Sequence, residues 1–593
     1  MVRLVDLCAG LGGFHRGVSL ALDDSPWGPA KLVFASELDD ALRETYVANF
    51  PEVASQLSHQ FPKDQVENLR QASADEALAH ALDLYSGEDT VRRIPGDLSA
   101  FVLPETRELR RWREDGPPLI PAHEILCAGF PCQPFSKSGA QLGFDDLRGT
   151  VFNLISIVAE RHSPDLIILE NVGNFERHDS GNTWHRVRSI LEDIGYSITA
   201  TRHKGTGGED ATGLLSPHHL GFAHHRERFF IVARHRAADI QIPSLRQRRV
   251  FPVRPSSAAA RTAADASASA ELESVVRDTW RVADTSTLQA AQVTQDQWVA
   301  ISHWNELLVM LHDVDEATGR PEFRANMPSF PIWGFELDPW QWYPIEDNPS
   351  EVLVDDPGRF RDECLASARE SVARRTRNRV DLYQFPPGGE RGFLADHPLT
   401  ESQAARWIDS LPGYAGARQR WPLWKRRFLA QNRNWALKLW ATLDPLELRS
   451  WLDRLVSKVP AASHQKLEWN CKGEPLDLTK HILQFRPSGL RVKRFRHVPA
   501  LVAMTTTQIP IVPRLCPEEP KLGVEGSHGR HLLPEEALQL QGFPANWHLP
   551  DGREAAARAL GNAVHCGVVR AVTEAAFGIG WAESQSVLGL EGA

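Results

Sequence analysis

A thiol set between two prolines is the first feature of the chain that could do chemistry. In Leu126-Cys-Ala-Gly-Phe-Pro-Cys132-Gln-Pro-Phe-Ser-Lys-Ser-Gly139 an apolar run gives way to a Pro-Cys-Gln-Pro loop. Pro131 and Pro134 fix φ on either side of Cys132 and Gln133. A thiol held in a rigid loop suits nucleophilic catalysis. The alternative for any lone cysteine is a small buried hydrophobe. A second piece is Asp165-Leu-Ile-Ile-Leu-Glu170-Asn171-Val172, where an apolar run ends on an acid. Burial can hold such a carboxyl protonated, ready to donate to a ring nitrogen; a helix-capping acid is the alternative. A third is His224-His-Arg226-Glu-Arg228, where two arginines enter the run Phe229-Phe-Ile-Val-Ala. Guanidinium groups so placed could grip a phosphate or a carbonyl oxygen.

The first turn, Asp6-Leu-Cys-Ala-Gly10-Leu-Gly12-Gly13-Phe14, departs from G-x-G-x-x-G. Gly10 and Gly12 fill the first two places, but His15 holds the third. Close backbone approach by an adenosine-type ligand and an ordinary glycine turn both remain open. Glu37, after the second strand-like run, stands where such folds set an acid on a ribose. Gly96-Asp97 could reach the base.

The elements that must position these groups read as alternating strands and helices. Residues 2–8 and 31–36 predict strands, with helices from the Gly turn to about Leu22 and from Leu38 to Phe50. Further strands are expected at Glu124–Ala128, Leu166–Leu169 and Phe229–Ala233. The pattern predicts a doubly wound α/β sheet, with the thiol, the acid and the Gly turn at its carboxyl edge. Residues 51–95 read as an insertion on the sheet's edge, and the Ala/Ser-rich stretch 254–272 as a linker or mobile loop. The expected domains are 1–240 catalytic, 241–275 linker, 276–515 a second domain, and 516–593 a segment returning to the first, with a helical Ala555–Phe577.

The 593 residues carry a formal net charge of -10, which taken whole argues against a nucleic-acid partner. Residues 401–500, however, hold 19 Lys+Arg against 8 Asp+Glu, a local net of +11, so the rest carries -21. A concentrated basic block suits a polyanion, and a solvated helical face is the alternative. The turn at Pro487 and Gly489 reads as a loop that enters a groove, followed by Arg491, Lys493, Arg494 and Arg496. Tryptophan is dense here, with 13 of 18 between Trp280 and Trp469, and core packing is the expected role for most of them. TTTQIPIV at 505–512 is expected to return the chain to the sheet side of the cleft. Seven cysteines without short-spaced pairs exclude a disulfide scaffold. Neither a signal-peptide pattern nor a long apolar stretch is seen, so a cytoplasmic protein with no membrane partner is expected.

Together these pieces resemble the DNA cytosine-5 methyltransferase family of bacterial or phage type, in order: the DLCAGLGG turn, Glu37, Gly96-Asp97, Pro131-Cys132-Gln133, Asp146-x-Arg148-Gly149, Glu170-Asn171-Val172, Arg226-x-Arg228, Glu536 with Gln541-Gly-Phe-Pro544, and Gly561-Asn562-Ala563-Val564. The resemblance covers roughly 1–235 and 525–575, and the region between is where the family recognises its target. It implies a Rossmann-like S-adenosyl-L-methionine-dependent methyltransferase sheet with a separate, large, mixed target recognition domain. Cys132 would add to C6 of a flipped-out cytosine in duplex DNA. Glu170 would serve N3, and Arg228 the O2, with Arg226 in support of it and of the flipped nucleotide. Asn171 and Val172 would shape the pocket. Gln133 and Ser136 would lie on the loop that closes over DNA. Asp6, Gly10, Gly12, Phe14, Glu37, Asp97, Asn562 and Ala563 would form the cofactor side, and Arg491, Lys493, Arg494 and Arg496 would contact DNA.

The sequence departs from the family at Leu38, where an aromatic is frequent, at His224 for Gln, at Leu533 for Thr and at His565 for Pro. The resemblance further implies a nucleoid-associated monomer of a prokaryote. It would serve restriction-modification or phage defence beside a cognate restriction or defence nuclease. A tRNA cytosine-5 methyltransferase is an alternative, disfavoured by the large basic second domain. A catalytically silent DNA-binding protein is another, disfavoured by the intact Cys132, Glu170 and Arg228. A metal or redox centre on Cys127 and Cys132 lacks further ligands at suitable spacing.

Overall fold

Apolar runs without polar alternation need cover on both faces, and a parallel sheet supplies it. In the computed structural model these runs form one such sheet. The structure describes residues 1–52 apart from 38, 120–130, 151–201, 213–238, 258–338 apart from 330, much of 432–459, 461–501, 508–515, 518 and 529–579. The chain divides into two units: Met1–Val275 with Arg496–Thr506 and Pro534–Ala593, and Val276–Phe495 with Thr507–Leu533.

In the first unit the strands are β1 (Val2–Leu7), β2 (Ala30–Ser36), β3 (Ile125–Gly129), β4 (Leu166–Val172), β5 (Tyr196–Ala200), β6 (His224–His225) and β7 (Arg228–His235). The main sheet runs β2-β1-β3-β4-β7-β5. β1 lies parallel to β2 and β3, and β3 to β4, while β7 runs antiparallel to both of its neighbours. The connection order therefore reverses at β1, between β2 and β3. In an open α/β sheet that switch point is where ligands bind. β5 is a strand the sequence reading passed over, because YSITA is short and only partly apolar.

Alternate residues of each strand feed two cores. Ile125 and Cys127 join Phe14 and Val18 of α1 (Gly13–Leu22) and Val569 of the helix Cys566–Phe577. Leu126 and Ala128 join Ile155 of α3 (Val151–His162) and Val187 of α4 (Asn182–Asp193) on the other face. The second predicted helix is α2 (Asp40–Asn49), with the Asp39 side chain accepting from Leu42 N at 3.1 Å. A Cβ on Gly17 of α1 would stand 2.5 Å from Val569 Cβ, so glycine allows the close approach of the C-terminal helix.

Two expectations are corrected in this unit. The Ala/Ser-rich stretch is not a loop: Ala258–Thr279 forms a helix, α5, with Ala268 and Leu272 buried. Alanine has the highest helix propensity, which outweighs the serines. Its Glu271 accepts from Ala223 N at 2.5 Å. The predicted Ala555–Phe577 helix is two, Arg553–Asn562 and Cys566–Phe577. The first ends at its cap Ala563, and His565 caps the second, its Nδ1 accepting from Gly567 N at 3.1 Å. The 51–95 insertion, beyond residue 52, lies outside the described residues.

The second unit holds a sheet of β8 (Ile332–Trp333), β9 (Lys466–Asn470), β10 (Ile482–Arg486), β11 (Gly489–Lys493), β13 (Ile511–Pro513) and β14 (Gly529–His531), β12 being Val498–Pro499 of the first unit. Ile511 pairs with Leu483 of β10, so the end of TTTQIPIV lies in this sheet, contrary to the return to the sheet side of the cleft expected from sequence. The helices Gln295–Thr318 and Pro445–Lys458 bring Trp304 and Trp451 into the core with Trp440 and Trp469. Their indoles donate inward: Trp304 to His464 O at 3.0 Å and Trp451 to His303 O at 2.7 Å. Among the described residues no helix is long and apolar enough to cross a membrane.

Acid should loosen the first unit. Burial pulls the imidazoles of His123 down to about 4 and of His15 and His565 to about 3, with His224 also well below the ordinary range. These folded values lie below the unfolded one, so the unfolded chain takes up protons that the fold refuses. Stability is then full above pH ~6.5 and falls as pH drops towards the folded values, by up to about 1.4 kcal/mol per pH unit for each imidazole. Urea midpoints measured from pH 7 to 4.5 should fall, and His123→Gln should flatten the fall; an unchanged slope in that variant would refute the assignment.

Candidate active site

The carboxyl edge of β3 and β4 is built by register. Gly129 pairs with Glu170, and a Cβ on Gly129 would stand 3.8 Å from Glu170 Oε2. The next residue of β4, Asn171, is buried and donates from Nδ2 to Phe130 O at 2.9 Å, while its Oδ1 accepts from Val172 N at 2.8 Å. One side chain thus fixes the last described residue before the Pro131-Cys132-Gln133 loop. Cys132, Gln133, Ser136 and Asp97 lie outside the described residues. Val172 is 45 % exposed, an apolar surface at the strand end.

β7 brings a guanidinium to the carboxylate. Arg228 pairs with Val172 across the strands, and its Nε lies 2.7 Å from Glu170 Oε1. Arg226 goes elsewhere. It is buried, donating from Nη2 to Gly561 O at 2.7 Å and from Nη1 to Leu501 O at 3.5 Å. Burial pulls its pKa down to about 9, with Arg228 adding repulsion.

At β1 the turn is bent by positive φ: 57° at Cys8, 54° at Gly10 and 83° at Gly12. A Cβ on Gly12 would meet Phe50 Cε2 at 2.3 Å, so only glycine fits there. Gly10 N donates to Glu37 Oε2 at 2.8 Å and Asp39 N to Glu37 Oε1 at 3.0 Å. Asp6 is fully buried beneath the turn, and burial pushes its carboxyl well above the usual range, with the Glu37 carboxylate adding to it. His15, in the place of the third glycine, stacks on Phe50 at 3.9 Å and meets Tyr46 Oη at 3.0 Å through Nδ1. Phe14 is core, and Asn562 stands exposed beside buried Ala563.

The sequence reading missed what clamps this turn. Trp547 Nε1 donates to Leu11 O at 3.3 Å. Asn49 and His548 exchange hydrogen bonds, Nδ2 to O at 3.0 Å and N to Oδ1 at 2.7 Å. The run Gly-Phe-Pro544-Ala-Asn-Trp547 was the available signal, but only its first half was used.

In the second unit the Pro487–Gly489 turn joins β10 to β11. Residues 489–493 form β11, flanked by β10 and β9 within the sheet. Arg491 Nε lies 2.7 Å from Glu468 Oε1, and Arg494 Nε 3.0 Å from Glu474 Oε1. Arg496, in the first unit, lies 2.6 Å from Asp265. Lys493 has no ion-pair or hydrogen-bond partner among the described residues. Burial, then Arg491, pulls its pKa down to about 8.

A mostly parallel sheet with a nucleotide-type turn at its switch point, beside a carboxylate–guanidinium pair, defines a Rossmann-like methyltransferase domain. The chain belongs to the C-5 cytosine-specific DNA methylase family, whose model matches residues 106–317 and 452–578, more than half of its length. It is 28% identical over 504 residues to the Type II methyltransferase M.AluI of Cellulosimicrobium cellulans, covering 80% of this chain and 81% of that one. M.HhaI of Haemophilus parahaemolyticus is 29% identical over 240 residues, 40% of this chain and 51% of the relative. M.NgoBI of Neisseria gonorrhoeae is 40% identical over 232 residues, 39% of this chain and 50% of the relative. The chain thus spans about half the length of these last two.

Asn171→Ala should free the Phe130 carbonyl while leaving the Glu170–Arg228 pair in place. Methylation rate should fall about 10-fold or more, from loss of a buried hydrogen bond of about 1–3 kcal/mol, with DNA affinity retained. Single-turnover kinetics beside a gel-shift titration tests this; an unchanged rate would show that the tie does not position the loop.

Proposed function

We propose that this DNA cytosine-5 methyltransferase moves a methyl group from S-adenosyl-L-methionine to C5 of one flipped-out cytosine in a specific duplex sequence, through a bond between Cys132 Sγ and C6. The observation that carries the reading is the Glu170–Arg228 pair beside the anchored start of the Cys132 loop. A carboxyl and a guanidinium side by side suit N3 and O2 of one cytosine ring. Such a ring must leave the stack, because neither C5 nor C6 is open to attack within it.

The β1 edge fits the cofactor. A Cβ on Gly10 would meet nothing within 4 Å, and Asp6 Oδ1 is buried without a hydrogen-bond partner among the described residues. Gly10, Gly12, Phe14, Glu37 and Asn562-Ala563, with Asp6 below and Asp97, would hold it, Glu37 on the ribose and Asp97 on the adenine. When bound, S-adenosyl-L-methionine supplies the methyl group. Cys132, as thiolate, forms the Sγ–C6 bond. Glu170 hydrogen-bonds or protonates N3 as charge enters the ring, which makes C5 the nucleophile. Arg228 holds O2, and Asn171 and Val172 close the pocket. Gln133 and Ser136 cover the DNA. Loss of the C5 proton then breaks the Sγ–C6 bond and frees Cys132.

Arg491, Lys493, Arg494 and Arg496 contact phosphates in this reading. The protein acts as a monomer and marks self DNA for a restriction-modification or phage-defence system with a cognate nuclease.

Tritiated cofactor with duplex DNA or tRNA tests the chemistry. Label should enter DNA and be lost in Cys132→Ser. Label in tRNA alone, or full activity in the variant, refutes it. Lys493→Ala breaks no carboxylate pair, so it should weaken duplex binding and reduce the salt slope by about 0.9, the value for one phosphate contact. Cofactor affinity should be unchanged; an equal fall in cofactor affinity would refute the placement.

A further inference from the structure

We propose that Arg226 is a positioning residue for the cofactor-side tail and does not touch the target base; the inference rests on the reading that Asn562-Ala563 faces the cofactor. Two residues apart, Arg226 and Arg228 have opposite fates. Arg228 reaches Glu170 at the sheet edge. Arg226 is buried with its backbone N donating to Ser216 Oγ at 2.9 Å and its guanidinium placed on the carbonyls of Gly561 and Leu501.

Those carbonyls explain the placement. Helix Arg553–Asn562 ends with acceptors that have no partner within the helix, at the negative end of its dipole. Two side chains take them from outside: Gln541 Nε2 donates to Leu560 O at 2.7 Å, and Arg226 Nη2 to Gly561 O. The exit direction of residues 562–564 is thereby fixed. Val564 then lies against the nucleotide-type turn, its O 2.4 Å from where a Cβ on Gly13 would stand. The path from Arg226 to that turn passes through backbone alone.

The surroundings leave Arg226 without a carboxylate ion-pair partner among the described residues. His224 and His565 flank it, and burial, then Arg226 itself, pushes both imidazoles down. Both ring nitrogens of His224, His565 Nε2, Gln541 Oε1 and Arg226 Nε are buried without a hydrogen-bond partner among the described residues. Glu170 acts on Arg226 only through its field. The guanidinium therefore has carbonyl partners where a carboxylate would ordinarily compensate it, an arrangement that holds position at a cost in stability. On the other side Leu501 follows β12, whose Val498 pairs with His224. One side chain thus joins the base-side strand, the segment entering from the second unit, and the cofactor-side tail.

The test is cofactor affinity in the absence of DNA, by calorimetry with S-adenosyl-L-methionine. Arg226→Met should weaken it by about tenfold or more, since a hydrogen bond from a charged donor is lost. Arg226→Lys should recover part of the loss, and Arg228→Met should bind as the wild type does while its turnover falls. If Arg226→Met binds the cofactor like the wild type, the proposal is overturned. Wild-type DNA methylation in the same preparation keeps the proposed function standing in that event, whereas a wild type that binds no cofactor sinks the function itself. Should Arg226→Met fail to fold, hydrogen exchange of the wild type decides. Cofactor should slow exchange at 223–226 and 498–501 together with 561–566, and protection confined to 561–566 would overturn the proposal.

Discussion

Everything at the carboxyl edge of the first sheet depends on the register of β3 against β4. Parallel strands deliver their carboxyl ends to one side of a sheet, and a one-residue slip would turn each side chain to the opposite face. With Gly129 opposite Glu170, the small residue leaves room at the carboxylate. The next step along β4 sets Asn171 to grip Phe130 O, so the end of β3 is tied down two residues before Cys132 in sequence. Arg228 can reach Glu170 because β7 runs antiparallel and ends its ladder opposite Val172. One reversed strand in a mostly parallel sheet thus supplies a cation at an edge where its parallel neighbour supplies the carboxylate.

The glycine turn shows a similar dependence on backbone. Its positive φ angles and its contact with Phe50 leave no space for a side chain at Gly12. The turn is held from three directions: Ala9 N donates to Ser36 O at the end of β2, Gly10 N to Glu37, and Leu11 O accepts from Trp547. The last of these spans more than five hundred residues. A surface loop free of such ties would carry the same glycines without a defined cradle.

The sequence was legible where burial is local. Residues 2–8, 31–36, 124–128, 166–169 and 229–233 read as strands because strands covered on both faces are apolar throughout, and Glu170 and Arg228 stand at the ends of the last two. Composition misled at α5, since Ala and Ser fit both a linker and a helix, and only the packing of Ala268 and Leu272 decides between them. The Pro487–Gly489 turn reads as a turn and is one. It marks a tight hairpin between β10 and β11, and a Cβ on Gly489 would meet Lys466 O at 2.9 Å, so its glycine answers to a neighbouring strand. Arg226 could not be distinguished from Arg228 by type or spacing. Their division of labour is set by Gly561 and Leu501, hundreds of residues away in sequence and invisible to any local pattern.

Formal charge is the coarsest of these sequence signals. The block at 401–500 sums to +11, but a cation already beside a carboxylate contributes little to the field beyond it. Arg491 and Arg494 have Glu468 and Glu474, and Arg496 has Asp265. What remains on the β10–β11 pair is Arg486 and Lys493, each with its pKa lowered first by burial and then by Arg491. The single carboxylate acting on both is Glu468, already paired with Arg491. Like charges held close at partial burial are destabilising by themselves, and a phosphate brought against them would relieve the repulsion. The charge of this strand pair beyond its ion pairs is therefore that of Arg486 and Lys493, and it survives in a protein whose overall sign is negative.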